Sequence, residues 1–204
     1  MAADDFVPNR ASAVQTWTVR IGGVPKKELL SRLQASGVLL NEAAATLFAD
    51  VRFATSSSSA PMKAVTLSVA ELGFPDGATF AKIVERADRN GLLLCPLELG
   101  PHLRLQFTDQ PEGSLGHPVS QNCAPPGSLT VASVPLAQDD ETPWGFYLRR
   151  IEGVLWLRGY RSWPGHIWSP RDMFVFRRDH DFSKSSTTSA DGASLLPMKP
   201  VNQG

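Results

Sequence analysis

Cysteine is scarce in this 204-residue chain: Cys95 and Cys123 are the only two, too few for a disulfide scaffold, and their scarcity points to a reducing compartment. Neither sign of charge is in excess. Lys plus Arg and Asp plus Glu each total 20, so no global field favours nucleic acid or an anionic membrane, and any charge-driven function must be local. No window of about eighteen residues is apolar and uncharged, which excludes a spanning helix. Met1-Ala2-Ala3-Asp4-Asp5 lacks the basic and then apolar layout of a secretory signal. No phosphate-loop pattern occurs, nor any Gly-Lys pair, which argues against a nucleotide-driven motor. These absences lead to the expectation of a soluble, cytoplasmic protein with no membrane partner and no cofactor.

What is present is enough for a core. At this length a chain buries roughly 70% of its surface and forms one large domain or two small ones. Residues 1–14 and 183–204 are small, polar and aperiodic, and are expected to be disordered. Between them, Trp17, Val19 and Ile21 alternate as a strand, and Leu29, Leu30 and Leu33 form a helical stripe ending at Gly37. Asn41 is placed to cap a second helix carrying Ala44, Leu47 and Phe48, after which Val51 and Phe53 resume a strand pattern. The run Ser56-Ser57-Ser58-Ser59-Ala60-Pro61 reads as a linker over 55–62.

A similar order follows it. Val65, Leu67 and Val69 alternate, Phe80, Ile83, Val84 and Ala87 form a helical stripe, and Asn90-Gly91 offers a left-handed stop. Gly37-Val38-Leu39-Leu40 falls on Gly91-Leu92-Leu93-Leu94 at an offset of 54, and Val51-Arg52-Phe53 falls on Leu105-Gln106-Phe107. Residues 15–107 are thus expected to be a duplicated strand-helix-helix-strand unit, with its helices on one face of a shared sheet. Gly100-Pro101 interrupts what is helix in the first copy. Residues 108–182 carry turn-rich stretches and short alternating runs and predict an antiparallel β-rich portion. The fold class expected is α+β, packed as one domain.

The most informative stretch is a hairpin. Phe146 to Ile151 and Val154 to Tyr160 flank Glu152-Gly153, a spacing suited to a two-residue turn. That register opposes Tyr147 to Arg158 and Arg149 to Trp156, so Tyr147, Arg149, Trp156, Arg158 and Tyr160 share one face, while Phe146, Leu148, Leu155 and Leu157 point to the core with Arg150 near the tip. From Trp144 to Arg178 there are seven arginines, two acids, no lysine, four of the five tryptophans and both tyrosines. Guanidinium groups give planar, bidentate contacts to phosphate or carboxylate, and rings offer stacking faces. The alternative is that the loop Ser162–Trp168 covers this face and the arginines brace it.

Other groupings are weaker. Cys95, Glu98 and His102 lie within eight residues and could supply a Cys/His nucleophile pair, although Cys95 follows three leucines and precedes proline. Cys95, His102, His117 and Cys123 lack the short paired spacing of structural zinc, so no metal is expected. The helix beginning after Asn41 imitates a recognition helix but contains Glu42 and no Lys or Arg, against DNA reading by this element.

The run Leu94-Cys95-Pro96-Leu97-Glu98-Leu99-Gly100-Pro101-His102-Leu103-Arg104-Leu105-Gln106, with Gly145-Phe146-Tyr147-Leu148-Arg149-Arg150 and Trp156-Leu157-Arg158-Gly159-Tyr160, resembles a group of small bacterial cytosolic proteins of unassigned function. Some members of that group are called helicases, an activity for which this chain lacks the phosphate-binding motif. The resemblance implies a bacterial cytosolic setting and supplies no catalytic residues. The functional expectation is a non-catalytic binding or interaction protein using Tyr147, Arg149, Trp156, Arg158 and Tyr160 toward an anionic planar ligand or a protein partner. The alternatives are a small cysteine-dependent enzyme centred on Cys95 and His102, and single-stranded nucleic-acid binding by the same arginine and aromatic face.

Overall fold

The computed structural model describes residues 15–113, 124–137, 139 and 141–179. The two termini expected to be disordered lie outside the described residues, as do His117 and Cys123. The strands are β1 (Thr16–Ile21), β2 (Leu39–Leu40), β3 (Ala60–Ser68), β4 (Ala78–Thr79), β5 (Leu129–Val131), β6 (Gly145–Ile151), β7 (Val154–Tyr160), β8 (Ile167–Trp168) and β9 (Met173–Arg177). The helices are α1 (Lys26–Ala35), α2 (Glu42–Ala49), α3 (Phe80–Arg89) and α4 (Leu99–Gln106). Seven strands form one mixed sheet in the order β1-β3-β9-β5-β6-β7-β2, and β4 pairs with β8 in a small ribbon. The β5/β9 and β2/β7 pairs are parallel and the rest are antiparallel. The chain is therefore α+β, with strands from both halves of the sequence interleaved in one sheet.

Both faces of that sheet are covered. On β9 the consecutive residues Phe174, Val175 and Phe176 are all fully buried, the pattern of a strand packed on two sides. Val175 joins a core with Leu29 and Leu33 of α1, Leu47 and Phe48 of α2, and Leu99 and Leu103 of α4. Phe174 and Phe176 join a second core with Ile83 and Ala87 of α3, Trp144 and Trp168. The expectation of helices on a single face is corrected here: α3 stands alone on the side opposite α1, α2 and α4. An apolar stripe tells that a helix has a buried face, but not which side of the sheet receives it. No helix among the described residues is long and apolar enough to cross a membrane.

The correspondence at an offset of 54 is local. Helices α1 and α3 coincide at that offset and end alike, with Gly37 and Gly91 in the left-handed region and Val38 and Leu92 donating back to Leu33 and Ala87. Beyond this the two segments diverge. β2 pairs in parallel with β7, whereas Leu93 forms an antiparallel bridge with Arg177. Val51 is exposed in a turn, and Leu105-Gln106 ends a helix, so neither expected closing strand forms. Gly100 and Pro101 do not interrupt that helix: they occupy its first turn, where a missing N–H costs nothing. The expected linker over 55–62 is likewise corrected, because Ala60 already begins β3 and Ser56 is tied down by Glu98, which accepts from its backbone N–H and its hydroxyl.

Two side-chain amides complete the sheet. Asn41 caps α2 by accepting from Ala44 N, as the sequence implies, and the same amide accepts from Gly159 N at 2.8 Å and donates to Gly159 O at 2.9 Å. At the opposite border, Gln106 of α4 accepts from Arg20 N at 3.0 Å and donates to Arg20 O at 2.8 Å. One turn earlier, His102 Nε2 accepts from Gly22 N.

Candidate binding surface

The β6–β7 hairpin turns at Glu152 and Gly153, both with positive φ (51° and 77°), the two-residue geometry whose twist matches the strands it joins. Its register is the one the spacing predicts: Ile151 opposite Val154, Arg149 opposite Trp156, Leu148 opposite Leu157, Tyr147 opposite Arg158 and Gly145 opposite Tyr160. Phe146, Leu148 and Leu157 are fully buried against α2 and α4, with Leu155 packed beside them. By alternation Tyr147, Arg149, Trp156, Arg158 and Tyr160 project from the other side, and all five are half-buried.

The five are not equivalent. The Arg158 guanidinium lies 5.1 Å from the centre of the Trp156 ring, a cation–π contact of about 0.5–1 kcal/mol at an exposed site. The Tyr147 and Tyr160 rings are 6.4 Å apart, and Tyr160 meets Trp168 edge to face at 5.6 Å. His166 stands edge-on between Trp163 and Trp168, 4.8 Å from each. The loop after β7 thus covers the Tyr160 end of the ribbon, as the bracing alternative holds. The Trp156 end is bordered by Leu39 of β2, which pairs with Trp156 and is 45% exposed.

Electrostatics separate the two sides of the hairpin. On the core side, Arg150 is answered by Glu112 at 3.4 Å and by the Gln110 carbonyl. On the other side, neither Arg149 nor Arg158 has a carboxylate partner among the described residues, whereas the Nε of all three arginines alike is buried without a hydrogen bond. Burial raises the Tyr147 phenol above its ordinary range, partly offset by the Arg158 and Arg149 charges, and raises Tyr160 further. Both phenols are neutral donors near neutral pH, and burial lowers His166 toward its neutral form. The surface sets two guanidinium groups beside flat rings, with no paired nucleophile and base among the described residues.

The residues of the enzyme alternative are placed differently. Cys95 is buried, donates to Val175 O at 3.4 Å, and burial pushes its thiol well above the ordinary range, so it carries no thiolate at neutral pH. His102 is buried on α4 with its imidazole pKa lowered by burial, and it spends Nε2 as an acceptor for Gly22. Glu98 Oε2 lies 3.9 Å from that nitrogen and holds Ser56. Arg104 is fully buried, donates to Phe107 O and Gln110 Oε1, and is lowered to about 10 by burial and by Arg150. Gln110 in turn donates to Gly127 O and Leu148 O. These groups tie turns to the sheet. No cluster of metal-binding side chains occurs among the described residues.

Two features escape sequence reading. Gly113 donates to Arg150 O, and a Cβ there would lie 3.4 Å from Arg149 Nε, so the Gln110–Gly113 turn flanks the arginine face. An apolar groove of about 770 Å³ also opens beside α3, lined among others by Phe80, Val84, Leu93, Val134, Trp144 and Phe176. Its residues come from five separate stretches of chain, which no local pattern joins.

Neither a family model, nor a curated protein, nor a solved structure matches this chain.

Proposed function

We propose that the protein is a non-catalytic binding module whose β6–β7 ribbon recognises a small, flat, anionic ligand. The observation that carries this reading is the pairing of Arg149 and Arg158, both without a carboxylate partner among the described residues, with Trp156 and Tyr147 on one side of the ribbon. Guanidinium groups left without a counter-ion beside half-buried rings suit a carboxylate or phosphate attached to an aromatic system. Arg158 is already held against Trp156, so less side-chain freedom is lost when an anion binds.

Two cations suffice for one or two phosphates but not for a long strand. Single-stranded nucleic acid bound by Arg149 and Arg158 alone would show a slope of log affinity against log salt of about −1.4. The test is native mass spectrometry of the freshly purified chain, followed by titration with nucleoside monophosphates and aromatic carboxylates read by tryptophan fluorescence. Charge-assisted hydrogen bonds contribute about 1.5–3 kcal/mol each, so Arg149→Ala with Arg158→Ala should weaken the best of these probes by at least about tenfold while leaving the fold intact. Absence of any bound or titrating anion in the parent would refute the reading. A salt slope far steeper than two contacts allow would move it to nucleic acid.

A further inference from the structure

The groove beside α3 lies on the same side of the sheet as the arginine ribbon but shares none of its five residues. Its buried rings are Phe80, Trp144 and Phe176, its rim includes Pro135 and Pro164, and Val134 stands 64% exposed within it. Among the described residues, the only charges lining it are acidic. Glu85 and Asp88 both come from the outer face of α3; Glu85 also meets Arg89 at 2.6 Å, and Asp88 has no cation partner among the described residues. A concave apolar surface with rings, prolines and an acidic rim suits an extended, proline-containing segment that carries a cation.

The chain contains one. Leu195-Leu196-Pro197-Met198-Lys199-Pro200-Val201 has two prolines spaced by two residues, four other apolar residues, one lysine and no acid. In a polyproline helix of three residues per turn, Pro197 and Pro200 share one face and Leu195, Met198 and Val201 a second, while Lys199 falls on the third with Leu196. Two faces would fill the groove and the third would bring the ammonium to its rim.

We propose that the groove is the docking site of Leu195–Val201 of the same chain, with Lys199 set against Glu85 and Asp88. The last strand ends beside the site: Arg177 exchanges two backbone hydrogen bonds of 2.9 Å with Leu93, a groove residue, and the preceding Phe176 also lines it. Fifteen residues separate Asp179 from Leu195, a tether reaching up to about 50 Å, so distance is no obstacle. A short tether also raises the local concentration of the segment to about the millimolar range, so that even weak docking is populated.

The test uses the full chain with Met198→benzoylphenylalanine, irradiated as a mixture of isotopically light and heavy protein and mapped by mass spectrometry. Docking within one chain gives light–light and heavy–heavy cross-links to the groove, that is to residues 80–94 or 134–135 or to Trp144, Pro164 or Phe176. Cross-links elsewhere, mixed light–heavy products (a second copy as occupant) or no cross-link would each overturn the proposal. In the full chain, Leu195→Asp with Met198→Asp should raise the fluorescence of an apolar-surface dye severalfold; an unchanged signal would overturn it as well. Glu85→Gln with Asp88→Asn, at exposed positions, should cut cross-linking at least threefold while costing no more stability than the exposed Glu85–Arg89 pair contributes, and an unaltered yield refutes the role given to Lys199.

Discussion

Substitution of Asn41 tests whether a side-chain amide here does the work of a strand. A plain N-cap contributes about 1 kcal/mol, and Asn, Asp and Ser perform it almost equally. Asn41 does more, because its amide also satisfies the N–H and the carbonyl of Gly159, at 2.8 and 2.9 Å. Both Gly159 groups are partly shielded by α2, so losing each partner costs about 1 kcal/mol. Asn41→Ala should therefore destabilise by about 3 kcal/mol, or about 6–12 °C in Tm for a domain of this size. Asn41→Ser keeps the cap and loses both contacts to Gly159, for about 2 kcal/mol. Asn41→Asp keeps both accepting roles and loses only the donor, for about 1 kcal/mol. Chemical denaturation with unchanged m-values is the assay. The reasoning fails if the serine variant matches the parent, since Asn41 would then be an ordinary cap, or if alanine costs less than about 1 kcal/mol.

Gly159→Ala should be worse tolerated than its chemistry suggests: its Cβ would fall 2.6 Å from Ala43 C and Ala44 N, backbone atoms that cannot step aside, and overpacking of this kind costs about 1–3 kcal/mol in equilibrium unfolding. Cys95 should resist alkylation by iodoacetamide in the native state and react after denaturation, as read by peptide mass spectrometry; rapid native labelling would contradict its buried, protonated state. Asp172, buried while accepting from Ala124 N and Ser169 N, is raised by burial to about 6. Below about pH 4 its carboxyl is protonated folded or unfolded, and between about pH 4 and 6 only the unfolded chain ionises freely, so this residue's stabilising effect falls as pH rises and then levels. The difference in unfolding free energy between the parent and Asp172→Asn should change by about 2–3 kcal/mol across that window, and a flat difference would show that the carboxyl is not shifted.

The hairpin was legible because its determinants are local: a two-residue turn fixes which residues face each other, and alternation then sorts every side chain. The cap at Asn41 and the stops at Gly37 and Gly91 were legible for the same reason. Other features depend on partners far away in sequence. Leu105-Gln106 reads as a strand by its apolar pattern, but α4 forms because Leu99 and Leu103 pack into the core and Gly100-Pro101 sits harmlessly in the first turn. Cys95 and His102 look like a reactive pair in one dimension. In three dimensions they point to separate tasks, one toward Val175 and the other toward Gly22. Which side of the sheet receives α3, and hence where the groove opens, follows from strand order, and no segment carries that information alone.

The amides of Asn41 and Gln106 have a consequence for what can associate with this protein. Exposed strand borders are templates on which foreign chains zip up, and natural sheets guard against it. Here Gly159 and Arg20 already have their main-chain groups occupied from within. Recruitment by strand addition is blocked at those two places, so a partner must read side chains rather than backbone, and loss of either amide should first show itself as self-association on heating.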